Sequence, residues 1–211
     1  MSPSAETTDR GAEDRAESPK WREPLTRLFV YGTLMAPEVM ATVLHGSHSQ
    51  TPDSEKQRLT YQPAILHNYR RHKVRYADYP GIVEVEPTAF PSSSVLGCLV
   101  SGLQPLDLVK LDYFEGPEYS KRTVKVKLLE PATPVDGLSL SSDGGKDSST
   151  VQAVLAAKEA QDTSGGQAVV READEEVDAL VYVWAAAREG LEESEWDYRA
   201  FREEKLADWI R

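Results

Sequence analysis

Leu28-Phe29-Val30-Tyr31 is a short run of β-forming residues that stops at Gly32. The period then changes. Val39, Met40, Val43 and Leu44 share one face of a helix expected over residues 37–45, with Gly46 as its stop. Thr33 is a candidate cap and Pro37 falls in the first turn. Residues 59–66 and 67–74 read as strand segments interrupted by Pro63, and Tyr79-Pro80-Gly81 marks a turn. Residues 82–85 and 95–100 are two further short strands. Pro105 opens a helix through residue 114, with Leu106, Val109 and Phe114 as its apolar side and Gly116-Pro117 as its end. Residues 122–128 alternate strictly, the pattern of a strand with one wet face. Residues 177–184 place Val181 and Val183 on one face and Leu180, Tyr182 and Trp184 on the other. Residues 194–211 read as a last helix, with Ser194 as cap and Trp196, Phe201, Leu206, Trp209 and Ile210 for apolar contact.

Two stretches carry no such pattern. Residues 1–25 are rich in Ser, Glu, Asp, Thr and Pro and are expected to form a disordered N-terminal tail. Residues 131–176 are rich in Pro, Gly and Ser and read as a low-complexity insert with one helical turn over 151–160. The expected organisation is thus a single domain over residues 26–211, interrupted at about 131–176. Many short strands with few helices point to an α+β fold, a curled mixed sheet or small barrel with helices packed outside.

Charge and cysteine content narrow the setting. The 211-residue chain has a formal net charge of -11, which disfavours nucleic acid as a partner. Arg70-Arg71-His72-Lys73 is a short local basic cluster, read as a strand edge or a small anion site. The single cysteine, Cys98, lies in an apolar run and reads as a core thiol, with no intrachain disulfide possible. No apolar run reaches the ~20 residues of a membrane span, and a cytoplasmic address is expected. Oligomeric state is not legible.

Chemistry concentrates in two segments. The strand-to-helix corner after Val30-Tyr31-Gly32-Thr33-Leu34 exposes backbone N–H groups before the first helical acceptors, a place suited to a carboxylate, a phosphate or an oxyanion. The plain alternative is a buried strand with a tight turn. Glu115 ends the second helix beside Leu111, Tyr113 and Phe114. Both the helix C-terminus and apolar neighbours favour its protonated form, which suits general acid/base work. The alternative is a surface glutamate at a helix end. Asp112 reads as solvated or paired with Lys110 or Arg122. The four histidines, His45, His48, His67 and His72, show no metal-ligand spacing, and no G-x-S-x-G or phosphate-binding glycine loop is present.

Val30-Tyr31-Gly32-Thr33-Leu34, followed some eighty residues later by Leu111-Asp112-Tyr113-Phe114-Glu115-Gly116 and Tyr119, resembles the gamma-glutamylcyclotransferase-like family. The resemblance is to the branch named for avirulence-induced plant proteins, with gamma-glutamylamine cyclotransferases nearby, and it covers roughly residues 27–130 and 177–205. It implies a small mixed β-barrel ringed by helices. It implies a metal-independent, cofactor-free acyl transfer that releases 5-oxoproline from a small γ-glutamyl substrate. In that reading Glu115 is the catalytic acid/base, the loop Val30, Tyr31, Gly32, Thr33 and Leu34 binds the glutamyl group through backbone amides, and Tyr119 adds a hydroxyl. A binding or regulatory module that keeps the pocket without turnover is the rival reading.

Overall fold

The computed structural model describes residues 26–47, 58–131, 170–211 and most of 152–160. The expected tail lies outside the described residues, as do residues 48–57 and much of the expected insert. Among the described residues seven strands are present: β1 (Leu28–Val30), β2 (Thr60–His67), β3 (Tyr69–Lys73), β4 (Pro80–Glu84), β5 (Ser94–Ser101), β6 (Tyr119–Pro131) and β7 (Val170–Trp184). Besides the helical residues within 152–160, the helices are α1 (Pro37–His45), α2 (Pro105–Glu115), α3 (Tyr198–Glu204) and α4 (Leu206–Trp209). The class is α+β.

Five strands pair in the order β1-β5-β2-β6-β7, and β1 meets β7 through a parallel bridge from Leu28 to Leu180, so the ladder closes on itself. β3 and β4 form a separate antiparallel pair. Period-two alternation divides the closed sheet into two apolar faces. Phe29, Tyr31, Ala64, Leu66, Val95, Leu99, Val126, Ala179, Val181 and Val183 form one buried cluster. Leu28, Val30, Ile65, Cys98, Val100 and Tyr182 point the other way and pack with α1, α2 and α3 through Met40, Leu44, Leu108, Leu111 and Phe201. The expected two-faced pattern of residues 177–184 holds. Gly97 is needed where β5 crosses β1: a Cβ there stands 2.3 Å from the Val30 carbonyl oxygen and 2.7 Å from the Phe29 ring.

Several elements differ from the sequence reading. β2 runs straight through Pro63, because β6 pairs with β2 at Ala64 and Ile65 only and leaves Pro63 with β5 alone as neighbour. The chain breaks instead at Asn68, whose φ of 64° turns it into β3. Thr33 does not cap α1. It begins a 3₁₀ turn over Thr33–Met35 and is buried, while Ala36 holds the N-cap position of α1. Asp197, not Ser194, caps the C-terminal helix, accepting from the Arg199 and Ala200 N–H groups. The expected helix over 194–211 divides at Lys205 into α3 and α4.

The apolar side assigned to α2 faces the wrong way. Leu106 and Val109 are exposed, and Asp107, Leu108 and Leu111 are the buried residues. Asp107 is satisfied there by the Gln104 N–H and by Arg58, both at 2.8 Å. The fold also resumes before residue 177. β7 starts at Val170 and pairs with the far end of β6, and Leu155 packs against the cluster holding Leu129 and Val170.

Candidate active site

Glu115 is the last residue of α2. Pro105 starts this helix with no N–H to lose, and Gly116, at φ 67°, ends it with an N–H donated to the Asp112 carbonyl. Leu111, fully buried one turn earlier, fixes the helix against the core. That contact sets which side of the helix end meets the sheet, and it turns Glu115 inward. Tyr113 points to solvent, so it does not add to the apolar surroundings of Glu115 as expected.

One cavity of about 380 Å³ brings the two segments together. Val30, Tyr31, Gly32, Thr33, Leu34, Glu115 and Tyr119, all expected at the site, line it. The first five come from the end of β1 and the 3₁₀ turn. Within that turn Met35 N–H donates to the Gly32 carbonyl and Ala36 N–H to that of Thr33. The N–H groups of Thr33 and Leu34 come before the first N–H bonded within the turn and have no acceptor inside it.

The remaining walls come from distant parts of the chain. Tyr79 and Pro80 enter from the start of β4, Tyr182 from β7, Phe114, Pro117 and Glu118 from the end of α2 and the turn after it, and Trp209 from α4. Sequence reasoning gave none of these a site role except Phe114, expected as an apolar neighbour of Glu115. Tyr79-Pro80 was legible as a turn and Tyr182 as a face residue. Trp209 carried no signal beyond its apolar character.

The electrostatics are unusual for a carboxylate. Among the described residues Glu115 has no ion pair and accepts no hydrogen bond, and burial pushes its carboxyl up to about 8. Burial raises the hydroxyls of Tyr31, Tyr79, Tyr119 and Tyr182, and the Glu115 charge adds to each, which places all four near it. All four hydroxyls are committed as donors. Tyr31 donates to the Tyr182 carbonyl at 2.7 Å, Tyr119 to the Pro80 carbonyl at 2.9 Å, Tyr182 to Asp112 Oδ1 at 2.7 Å and Tyr79 to Glu118 Oε2 at 3.3 Å. Toward a ligand their oxygens remain acceptors. Among the described residues no Lys, Arg or His lines the cavity.

The neighbours are stabilised separately. Asp112 pairs with Lys121 at 2.7 Å rather than with Lys110 or Arg122, and these bonds hold its carboxyl below the usual range despite partial burial. Arg71, from the basic cluster, is buried. It donates to the Tyr31 carbonyl at 3.1 Å, pairs with Glu195 at 2.9 Å and lies over the Trp196 ring. This is structural use of the cluster, not an open anion site. Cys98 is buried on the opposite sheet face and its thiol is pushed up to about 12.

Residues 28–141 match the sequence profile of the family described as gamma-glutamyl cyclotransferase, AIG2-like. The chain belongs to this family. Two AIG2 relatives from Arabidopsis thaliana are similar to it: Protein AIG2 C, 32% identical over 108 residues, which are 51% of this chain and 56% of the relative, and AIG2-like protein C, 32% identical over 103 residues, 49% and 51% respectively. The chain thus spans about half the length of the curated AIG2 relatives it matches. A solution structure of an Arabidopsis thaliana protein aligns over 90% of this chain and 88% of its own at 20% identity, with a TM-score of 0.47. A structure of a gamma-glutamyl cyclotransferase aligns over 79% and 68% at 12% identity, with a TM-score of 0.38. The AIG2-like match includes β1, the Gly32–Leu34 turn, α2 and Glu115, and leaves out β7, α3 and α4.

Proposed function

We propose that this chain is a γ-glutamylcyclotransferase that converts a γ-glutamyl amide into 5-oxoproline and a free amine, with Glu115 as general acid/base. The observation that carries the proposal is the Glu115 carboxyl. It is half-buried, without an ion pair or a hydrogen bond among the described residues, and shares one cavity with the Gly32–Leu34 turn.

In the empty site Glu115 is mostly protonated at neutral pH. A substrate whose α-ammonium sits beside it draws the pKa down, because an opposite charge favours the carboxylate. The carboxylate then takes a proton from that ammonium. The freed amine nitrogen attacks the γ-carbonyl carbon of the same molecule. A C–N bond forms, the carbonyl electrons move to oxygen, and a five-membered ring closes. Proximity lowers this barrier because both reacting groups belong to one molecule. Glu115 then returns the proton to the departing nitrogen as the original C–N bond breaks, and the ring nitrogen gives up its second proton to the freed amine, which leaves as an ammonium. Thr33 and Leu34 N–H groups are suited to the glutamyl carboxylate or the oxyanion, since neither has an intrahelical acceptor. Among the described residues the cavity lining holds no cationic side chain, so backbone donors carry this task.

The test is 5-oxoproline release from a panel of γ-glutamyl amides, amino acids and isopeptides by the full chain. Turnover that falls about 10²–10⁴-fold in Glu115→Gln supports the proposal, as loss of general acid/base catalysis has that size. Binding of γ-glutamyl ligands without turnover would instead make the protein a binding module.

A further inference from the structure

The peptide joining Tyr31 to Gly32 belongs to the cavity wall, since both residues line it. Its two polar groups have different fates. The Tyr31 carbonyl accepts from Arg71 Nη1 at 3.1 Å. The peptide is trans, so the Gly32 N–H points away from Arg71. Arg71 does not line the cavity and stands behind this wall. Among the described residues the N–H groups of Gly32, Thr33 and Leu34 have no acceptor, although all three residues are buried. Three successive buried N–H groups without acceptors are rare in a folded chain, and such a run makes a concavity for an anion.

Arg71 is held by parts of the chain far from this turn. From β3 it also donates to the Leu96 carbonyl at 3.4 Å. Its Nη2 pairs with Glu195 at 2.9 Å, and the guanidinium lies over the Trp196 ring at 5.9 Å. Trp196 is fixed in turn, because its indole N–H donates to the Asp78 carbonyl at 2.9 Å. The ion pair is unequal: the Arg71 side chain is 8% exposed and that of Glu195 66%, so water screens the carboxylate far more than the cation. Arg71 Nε is buried without a partner among the described residues. A guanidinium left short of partners in the interior costs stability, which calls for a use beyond packing. Its field reaches the cavity wall. Burial raises the Tyr31 hydroxyl, and the Arg71 charge opposes that rise.

We propose that Arg71 is a positioning residue for the turn after β1: it locks the Tyr31–Gly32 peptide so that the Gly32 N–H joins those of Thr33 and Leu34 on the glutamyl carboxylate, and it sets a positive charge behind them. The proposal rests on the cyclotransferase reading for the identity of that carboxylate. It explains how a lining with no cation among the described residues holds an anion. A cation at the carbonyl oxygen polarises the peptide and makes the N–H on its other side a stronger donor. Glu195 and Trp196 lie outside the residues that match the family, so the C-terminal segment bears on the turn through Arg71.

A matched ligand pair tests it. 5-Oxoproline and 2-pyrrolidinone share the lactam ring and differ by one carboxylate. Their affinities for the full chain are measured by NMR titration. Arg71→Met keeps the reach of the side chain and removes its charge and donors. It should weaken 5-oxoproline about tenfold or more, the size of one hydrogen bond to a charged group, and leave 2-pyrrolidinone within about twofold. Arg71→Lys returns a charge and a donor and should recover most of the 5-oxoproline affinity. Losses that fall equally on both ligands mark a structural residue and overturn the proposal. So do an unchanged 5-oxoproline affinity in Arg71→Met, a Lys variant as weak as the Met variant, and a parent that binds no 5-oxoproline. If Arg71→Met does not fold, the parent decides alone. Saturation with 5-oxoproline should move the Gly32 amide proton downfield, and an unmoved signal overturns the proposal. Release of 5-oxoproline from γ-glutamyl amides by the parent is read in parallel. No release, with the Arg71 pattern intact, removes the cyclotransferase reading and keeps the role of Arg71. Release together with an Arg71→Met affinity equal to the parent's removes that role and keeps the reaction.

Discussion

Gly32 lies directly against Pro80: a Cβ on Gly32 stands 2.7 Å from Pro80 Cγ and 2.8 Å from Cδ. The backbone at Gly32 is extended, with φ -132°, so no left-handed conformation demands glycine here. The need is for close approach between the turn after β1 and the first residue of β4. Pro80 is itself pinned, since its carbonyl accepts from the Tyr119 hydroxyl.

Gly32→Ala is accordingly expected to cost about 1–3 kcal/mol through overpacking and to weaken ligand binding by displacing the Pro80 wall. The double variant Gly32→Ala with Pro80→Ala should recover much of the lost stability. Urea unfolding of the single and double variants gives the coupling. Strictly additive losses would show that the contact is not the cause.

The raised carboxyl of Glu115 makes stability depend on pH with a defined sign. Between about 4.5 and about 8 the folded state holds a proton here that the unfolded chain has lost. The contribution of this group is fully present below 4.5 and is lost as pH rises through 8. Glu115→Gln lacks the titration, so its melting temperature relative to the parent should rise between pH 5 and 8 and then level off. A difference that stays flat across that range would show a solvated Glu115.

Gly97→Ala should be among the most damaging single substitutions, with a cost of about 3 kcal/mol or more. The obstacle is backbone, the Val30 carbonyl, with the Phe29 ring behind it. Neither can rotate away, unlike the end of a flexible side chain. A thermal transition within a degree or two of the parent would refute this.

Leu155 is 4% exposed and shares a cluster with Leu129 and Val170. Leu155→Ala should therefore cost about 2–4 kcal/mol, and excision of residues 132–169 should lower stability. An unchanged transition after that excision would mean that the segment adds nothing to the core.

Part of this protein was legible without its structure. The bounds of α1 follow from the spacing of Val39, Met40 and Leu44 between Pro37 and Gly46, because helix period and stop signals are local. The two-faced pattern over residues 177–184 was legible for the same reason. Glu115 stood out as a carboxylate at a helix end beside apolar residues, and its burial bears out the expectation of a raised pKa. Other features depended on distant partners. Pro63 reads as a break, yet it is tolerated because β6 does not reach it. Leu106 and Val109 read as core, yet Leu108 and Leu111 face the sheet, since a helix with apolar residues on two sides is oriented by what packs against it.

The family, the α+β class and the two segments that meet at the cavity are properties of the sequence itself, carried by local period and by motifs only a few residues long. The joining of Glu115 to Gly32 in one cavity, the closure of β1 onto β7, and the arrival of Tyr79, Tyr182 and Trp209 at its walls were decided by the tertiary structure. Those contacts link residues as far apart as Leu28 and Leu180, and their free energy comes from burial shared across the whole core, so no window of sequence contains it.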